Sequence, residues 1–279
     1  MFVLLYSAYK LSRPINFIIS FLSILVAGII CKSLLFNWVD VLLAAFAGAF
    51  TGAAGNIIND YFDCEIDKIN RPQRILPLGI ITKKQALQIY FSFLIIVLAF
   101  TIGLNVLAVT IVIFTNVIIF LYSYKLKKIP LVGNFIVSFF TGLAFIYGGA
   151  AVYNYKGALI PALFAFLINF IREIVKDIED IKGDSMQNVY TFPGVYGYKK
   201  SYYLIFMLTV VLILLTFIPF IFEVYKIEYF LIINVIINPI LIYILKNMWK
   251  DNSKKNISTI SALLKVNMIF GLIAIYMGV

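Results

Sequence analysis

The chain has 279 residues, of which 63% are hydrophobic and 13% are charged, and its mean hydropathy is +1.00. Soluble domains carry about 25% charged residues, so this composition excludes an ordinary soluble fold. The sequence contains no histidine, which excludes imidazole catalysis and histidine-ligated metal centres.

Nine apolar stretches follow one another along the chain, each long enough to cross a bilayer as a helix. A crossing helix needs about 20 apolar residues, and continuous rather than alternating stretches disfavour a strand barrel. We predict an all-α, polytopic membrane protein with about nine transmembrane helices around a central cavity, in a single domain that covers 1–279. The predicted spans are 15–33, 38–62, 85–103, 105–124, 132–153, 158–181, 201–221, 228–246 and 259–278.

The net charge of +10 is distributed unevenly along the predicted topology. With the amino terminus inside, nineteen of the 23 Lys and Arg residues lie on inner segments or the helix ends beside them, and three lie outside. This positive-inside bias explains the basic excess and disfavours a nucleic-acid partner. We therefore predict a multi-pass protein of the cell membrane, with its amino terminus and active site on the cytoplasmic side.

A cluster of acidic residues ends the second predicted span, in the segment GNIINDYFDCEIDKINRP at 55–72. Asp60, Asp63, Glu65 and Asp67 fall within eight residues. An ionised carboxylate inside a bilayer costs about 2.5–3.5 kcal/mol on insertion scales, so residues of this kind are by default functional.

A second cluster ends the sixth predicted span, in REIVKDIEDIKGD at 172–184. It repeats the spacing of the first cluster 117 residues later, with Asn56, Asp60, Asp63 and Asp67 aligned to Glu173, Asp177, Asp180 and Asp184. On a helix this spacing places the four side chains on one face, whereas Glu65 and Glu179 point away.

Both clusters are predicted on the same side of the membrane, because four crossings separate them. We interpret the chain as a duplication, with a first half at 1–131, a second half at 132–258 and a last helix at 259–279.

Two faces lined with carboxylates repel each other unless a cation lies between them. An all-oxygen ligand set suits Mg²⁺, which commonly takes one or two carboxylates together with substrate phosphate oxygens. The sequence thus predicts a Mg²⁺-bound diphosphate. The predicted metal ligands are Asn56, Asp60, Asp63, Asp67, Glu173, Asp177, Asp180 and Asp184. The predicted substrate-binding residues are Asn56, Arg71, Arg74, Lys125, Lys127, Lys128, Arg172 and Lys176.

These motifs resemble the signatures of the UbiA superfamily of intramembrane prenyltransferases. The first motif is matched by Asn56, Asp60, Asp63 and Asp67 with the following Arg71, Pro72, Arg74, Pro77 and Gly79, and the second by Asp177, Asp180 and Asp184. YSYKLKK at 122–128 is similar to the tyrosine-lysine segment of the family, and Ile75 departs from the proline that many relatives have. The resemblance implies two Mg²⁺ ions, a prenyl diphosphate and release of diphosphate on transfer. We expect Asp60 and Asp177 to be essential, and Asp184 to accept the proton of the acceptor hydroxyl.

Within the superfamily, the amino-acid sequences of both motifs are most similar to those of the archaeal branch that makes ether lipids. This resemblance implies transfer of a geranylgeranyl group from geranylgeranyl diphosphate to the free hydroxyl of geranylgeranylglyceryl phosphate. Because that acceptor is an anion, it needs a second basic site, for which Lys125, Lys127 and Lys128 are the candidates.

Two alternatives stay open on the sequence alone. A prenyltransferase of quinone biosynthesis, with an aromatic acceptor, has the same diphosphate site. A cation-coupled transporter also holds carboxylates in the membrane, although usually near the midplane rather than at helix ends. The expected partners are lipid substrates and the membrane, and no obligatory protein partner is inferred.

Overall fold

The computed structural model describes residues 2–186 and 190–279, except for the side chains of Lys128 and Lys182. The described residues form helices and no strand, which confirms the predicted all-α fold. The helices are α1 (Phe2–Leu11), α2 (Pro14–Ile30), α3 (Trp38–Phe62), α4 (Cys64–Asn70), α5 (Lys83–Thr101), α6 (Val106–Tyr124), α7 (Val132–Ala151), α8 (Leu159–Met186), α9 (Phe192–Ile221), α10 (Ile227–Ile232), α11 (Asn238–Lys250) and α12 (Lys254–Gly278). A π-helical turn, Ile233–Ile237, joins α10 to α11.

Eight spans in the described part of the chain are long and apolar enough to cross a membrane. They are α3, α5, α6, α7, α8, α9, α12 and the continuous stretch Ile227–Lys250. The pair α1 and α2, bent by 58°, makes a ninth if it is counted as one broken span. The prediction of a multi-pass membrane protein with about nine spans is therefore confirmed.

The chain forms two compact units. The first consists of Met1–Lys128 and Leu143–Ala158, and the second of Ile129–Gly142 and Leu159–Val279. Helix α7 thus contributes its first half to the second unit and its second half to the first. The predicted duplication, with boundaries at 131 and 258, stays a prediction.

The core of the first unit is built around α3, which packs against α2, α5 and α6. Helices in a membrane associate through close packing, and small side chains let their backbones approach. Helix α3 accordingly buries Ala44, Ala45, Ala47, Ala49, Ala53 and Ala54.

Gly148 on α7 marks the closest approach to α2. A Cβ atom at this position would lie 2.4 Å from the carbonyl oxygen of Ile24 and 2.9 Å from the Cβ of Ala27. We expect Gly148→Ala to destabilise the protein by about 1–3 kcal/mol, because backbone must move to accommodate the methyl group. Gly271 on α12 is the matched control, since a Cβ there meets nothing within 4 Å. Thermal unfolding in detergent should show a lowered Tm for Gly148→Ala only; an equal Tm for both variants would contradict this packing.

The second unit packs α8 against α9 and α12. Its interior holds polar side chains that bond to one another: the Tyr229 hydroxyl donates to the Thr216 carbonyl at 2.9 Å, and Asn238 Nδ2 donates to Thr216 Oγ1 at 3.4 Å. Interhelical hydrogen bonds of this kind help helices to associate where no water is present.

Helix α9 begins at Phe192, nine residues before the predicted span, because Pro193 lies in its first turn, where its fixed φ suits a helix start. Gly197 then interrupts the helix with a φ of 78°, a conformation that glycine adopts without strain. After this kink the Tyr198 hydroxyl donates to the Met248 carbonyl at 2.5 Å and ties α9 to α11.

Candidate functional site

The first acidic cluster lies where α3 ends. Asp60 is on the last turns of α3, Asp63 follows the helix, and Asp67 is on the short helix α4. The spacing of the motif predicts one continuous helix. The structure differs, because the chain leaves helical geometry at Asp63 (φ −87°, ψ 3°) and the motif is divided between α3 and α4. The Asp63 N–H still donates to the Asn59 carbonyl, and the Asp67 N–H donates to the Asp63 carbonyl, so the helical spacing continues across the break.

Arg74 bridges two buried carboxylates of this cluster. Its Nη1 donates to Asp60 Oδ1 at 3.0 Å and to Asp67 Oδ2 at 2.5 Å. Asp60 and Asp67 are only 4% and 3% exposed, so the guanidinium compensates charges that water cannot reach. Burial raises the pKa of Asp67 despite the opposing charge of Arg74. Burial and the charge of Arg13 lower the pKa of Arg74.

The predicted basic segment contributes Lys127 to the same cluster. The Lys127 ammonium forms an ion pair with Asp63, and both side chains are largely buried. Lys125 is exposed, and Arg71 is half-buried after α4. Lys128, also predicted to bind substrate, has a side chain outside the described part of the structure. Three carboxylates of the first motif therefore each have a cation in contact.

Arg13 is a site residue that the sequence analysis missed. Its Nη2 donates to Asp60 Oδ1 at 2.5 Å, and Asn56 Nδ2 donates to the neighbouring Ser12 carbonyl at 3.2 Å. The elbow between α1 and α2 thus contacts two residues of the first motif. Arg13 also has a φ of 52°, in the left-handed region that a non-glycine residue rarely adopts. The available signal was an arginine directly before Pro14, the residue that begins α2, but the sequence analysis counted it only among the basic residues of the inner segments.

We expect Arg13→Met to destabilise the protein by about 1–3 kcal/mol, because the buried Asp60 carboxylate loses one of its two guanidinium hydrogen-bond donors. The matched control is Lys10→Met on the same elbow, since Lys10 is exposed and lies over the Tyr6 ring. The measurement is thermal unfolding in detergent. Equal Tm values for the two variants would contradict a structural role for the Arg13–Asp60 contact.

The second acidic cluster lies on one continuous helix, because α8 extends through Glu173, Asp177, Asp180 and Asp184 to Met186. Asp177 Oδ2 accepts a hydrogen bond of 2.8 Å from Asn134 Nδ2 on α7. Asn134 was also missed by the sequence analysis, although a lone asparagine at the start of an apolar span is a detectable signal.

Glu173 forms local ion pairs at the start of this cluster. Its carboxylate accepts from Lys176 Nζ at 2.7 and 2.9 Å and from Arg172 Nη1 at 3.1 Å. Arg172 Nε is buried and has no hydrogen-bond partner among the residues that the structure describes. The second cluster therefore has a buried donor for which the described residues supply no acceptor.

The acidic side chains of the two clusters do not form a closed cage of metal ligands in the part of the chain that the structure describes. Within 2–186 and 190–279, no three Cys, Asp or Glu side chains are grouped closely enough to hold a metal ion. Mg²⁺ does not need such a cage, since one or two carboxylates suffice when water and phosphate complete its shell. The carboxylates of Asp60 and Asp67 lie close together, because both contact the Arg74 guanidinium. The predicted metal ligands stay predictions.

Fold and site together define a multi-pass helical membrane protein with clusters of carboxylates and cations at helix ends. Residues 20–269 match the sequence profile of the UbiA prenyltransferase family. The chain belongs to this family, so the prediction of a membrane prenyltransferase is confirmed.

Individual relatives agree with this assignment. The digeranylgeranylglyceryl phosphate synthase of Methanobrevibacter smithii is 34% identical over 283 residues, which cover 96% of each chain. A solved structure of a digeranylgeranylglyceryl phosphate synthase in membranes has a TM-score of 0.76 and 34% identity, over 99% of this chain and 98% of that one. A UbiA homologue from Archaeoglobus fulgidus, bound to DMAPP and Mg²⁺, shares the fold with a TM-score of 0.65 and 20% identity, over 96% and 99% of the two chains. The predicted resemblance to the archaeal branch of the family is confirmed.

Proposed function

We propose that the protein transfers a geranylgeranyl group from geranylgeranyl diphosphate to the free glycerol hydroxyl of geranylgeranylglyceryl phosphate. The reaction requires Mg²⁺, forms the second ether bond of archaeal membrane lipids and releases diphosphate. The observation that carries the proposal is the pair of ion pairs that Arg74 forms with Asp60 and Asp67. These three side chains combine carboxylates for a metal with a guanidinium for a phosphate. The similarity to digeranylgeranylglyceryl phosphate synthases over nearly the whole chain supports the choice of acceptor.

The donor atoms of both clusters fit Mg²⁺. Carboxylate oxygens are the ligands this ion prefers, and the chain contains no histidine that would favour a softer metal. We propose that Asp60, Asp63 and Asp67 hold Mg²⁺ in the first unit, with Asn56 beside them. Asp177, Asp180 and Asp184 have this role in the second unit, with Glu173 as an outer member. Mg²⁺ held by these residues would neutralise charge on the departing diphosphate, and the solved A. fulgidus homologue is bound to DMAPP and Mg²⁺.

The basic residues of the chain bind and orient the phosphates. Arg13 and Arg74 contact Asp60, and Lys127 contacts Asp63, so they lie beside the carboxylates that hold the metal. Arg172 Nε is the buried donor without an acceptor in the described part of the chain, and a phosphate oxygen would satisfy it. We also assign phosphate binding to Arg71 and Lys176.

The transfer breaks the allylic C–O bond of the prenyl diphosphate, and diphosphate leaves with the electron pair. The glycerol oxygen forms the new C–O bond, and we propose that the Asp184 carboxylate accepts the proton it loses. The reaction requires that water be kept from the reacting carbon, because water would otherwise capture the allylic cation.

The acceptor phosphate is proposed to bind at Lys125 and Lys128. We expect the variant Lys125→Ala/Lys128→Ala to raise the acceptor KM about tenfold, because it removes charged hydrogen bonds to the phosphate. The KM for prenyl diphosphate should change by less than about twofold, since Lys127 keeps its ion pair with Asp63. Steady-state kinetics with each substrate varied in turn measure both constants.

The control for this variant is Lys83→Ala/Lys84→Ala, which removes two exposed lysines from the first turn of α5. An equal rise in both KM values for the Lys125/Lys128 variant would contradict a separate acceptor site.

The acceptor itself is tested with purified protein, Mg²⁺ and geranylgeranyl diphosphate, supplied with either geranylgeranylglyceryl phosphate or 4-hydroxybenzoate. Mass spectrometry identifies the prenylated product. Product from the glycerol phosphate alone supports the proposal. Product from the aromatic acid alone would identify an enzyme of quinone biosynthesis.

We further propose that the amino terminus and both acidic clusters face the cytoplasm, as the distribution of Lys and Arg predicts. Labelling of Ser253→Cys, at an exposed position, with a membrane-impermeant maleimide tests this orientation. The proposal requires labelling in inverted vesicles, and labelling in intact cells would contradict it.

A further inference from the structure

Six exposed lysines lie at one end of the second unit, where the first turns of α9 and α12 meet the last turns of α11. We call this surface the lysine platform. It consists of Lys199 and Lys200 on α9, Lys246 and Lys250 on α11, and Lys254 and Lys255 on α12. None of the six has a carboxylate within ion-pair distance among the described residues. Asp251, in the turn between α11 and α12, instead accepts hydrogen bonds from Ser253.

Hydrogen bonds between the helices hold the platform together. The Tyr198 and Tyr202 hydroxyls on α9 donate to the carbonyls of Met248 and Leu245 on α11, at 2.5 and 3.4 Å. Asn256 Nδ2 on α12 donates to the carbonyls of Asn247 and Asp251, at 3.2 and 2.6 Å. The backbone that carries the lysines is therefore preorganised, and only their side chains need to become ordered when an anion binds.

Aromatic side chains accompany the lysines. Tyr196, Tyr203 and Trp249 are exposed, and the Trp249 ring lies 5.3 Å from that of Tyr202. Lys200 Nζ lies 5.4 Å from the centre of the Tyr196 ring. Exposed tyrosine and tryptophan beside lysine are typical of the level at which lipid headgroups meet water.

We propose that the lysine platform binds the phosphate headgroups of anionic phospholipids in the surrounding leaflet. Groups of four to eight basic residues directly beside membrane helices bind anionic lipid, each contributing through its charge near the surface. The positive-inside rule accounts for the number of lysines at this end. It does not require three helix ends to be joined by hydrogen bonds, nor six cations to lack carboxylate partners. Charge complementarity to a phosphate layer accounts for the cations without carboxylate partners, and the hydrogen bonds hold the three helix ends that present them.

The proposal is tested in lipid nanodiscs made of phosphatidylcholine alone or with one quarter phosphatidylglycerol. Native mass spectrometry counts the phosphatidylglycerol molecules that stay bound, and thermal unfolding measures stabilisation by that lipid. The main variant replaces all six lysines of the platform by Gln, and a second variant replaces only Lys250, Lys254 and Lys255. Replacement of all six by Arg keeps the charge.

The matched control is Lys32→Gln/Lys156→Gln, which removes two exposed lysines from the end of the first unit opposite its acidic cluster. We expect the wild type, the Arg variant and this control to retain phosphatidylglycerol and to unfold at a higher Tm in its presence. The affinity of the six-Gln variant for that lipid should fall by at least about tenfold, and that of the three-Gln variant should fall by less. If the six-Gln variant does not fold in phosphatidylcholine, the three-Gln variant carries the test.

Equal retention of phosphatidylglycerol by the wild type and the Gln variants would overturn the proposal. So would a wild type without preference for phosphatidylglycerol, or an equal loss in the Lys32/Lys156 control. The experiment involves no turnover, so its outcome does not depend on the proposed acceptor.

Discussion

We expect the Asp60→Asn variant to lose prenyl transfer, with kcat lowered by about 10²–10³-fold. The substitution keeps the size of the side chain but removes the charge that we propose binds a metal and that compensates Arg13 and Arg74. Because Asp60 is almost fully buried, water cannot replace the lost charge. Removal of one preorganised electrostatic group from an active site typically has an effect of this size. Steady-state assays of diphosphate release measure kcat directly.

Glu65 is the matched control for Asp60 in the same motif. It is exposed, and its contact is an ion pair with Lys68 on the same helix, at 2.7 Å. That hydrogen bond lowers the pKa of Glu65, but an exposed pair of this kind contributes little. Glu65→Gln should keep kcat within about threefold of the wild type. Equal losses in the two variants would contradict the assignment of Asp60 to the site.

The second large effect is expected for Asp177→Asn, which should also lower kcat by about 10²–10³-fold. Asp177 is in the second unit, and its carboxylate accepts a hydrogen bond from Asn134. Asparagine at 177 can still accept that bond through its amide oxygen, so the position of the side chain is preserved while its charge is lost. The loss of activity would therefore report on charge rather than on folding, and an unchanged Tm checks this.

Glu179 is the control for Asp177, because it is two residues away on α8 and points in another direction around the helix. We expect Glu179→Gln to keep kcat within about threefold of the wild type. A fully active Asp177→Asn would show that only the first cluster serves the reaction, and the proposed equivalence of the two motifs would then be wrong.

Much of the fold follows from patterns that are local in the sequence. Apolar runs of about 20 residues predict the spans, and the structure confirms them because backbone in a bilayer must form helices to satisfy its hydrogen bonds. The paired acidic motifs likewise indicate the family through their resemblance to its two signatures, and the match of residues 20–269 to the family profile confirms it.

The contacts of the site could not be predicted in the same way. Arg13 and Asp60 are 47 residues apart, and Asn134 and Asp177 are 43 residues apart. Such pairs depend on how helices pack, and no local periodicity encodes them. The break at Asp63 was missed for a related reason, since acidic residues spaced at three and four are compatible with a continuous helix and with two helices in succession.

The kink in α9 has local signals in the sequence, but its contact with α11 depends on how the helices pack. Gly197 and Pro193 are recognisable signals of a break and a helix start, but the apolar run that begins at 201 dominates the hydropathy. The structure shows that the residues before this run are helical and tied to α11 through Tyr198.

Mg²⁺-dependent transfer of a prenyl group with release of diphosphate can be measured directly. The most direct measurement incubates the purified protein with geranylgeranyl diphosphate and geranylgeranylglyceryl phosphate after removal of metal by EDTA, and quantifies diphosphate and ether product before and after Mg²⁺ is added. We predict no product with EDTA, and equimolar diphosphate and digeranylgeranylglyceryl phosphate once Mg²⁺ is restored. Ether product formed in EDTA, or diphosphate released without a matching amount of ether, would contradict Mg²⁺-dependent prenyl transfer to this acceptor.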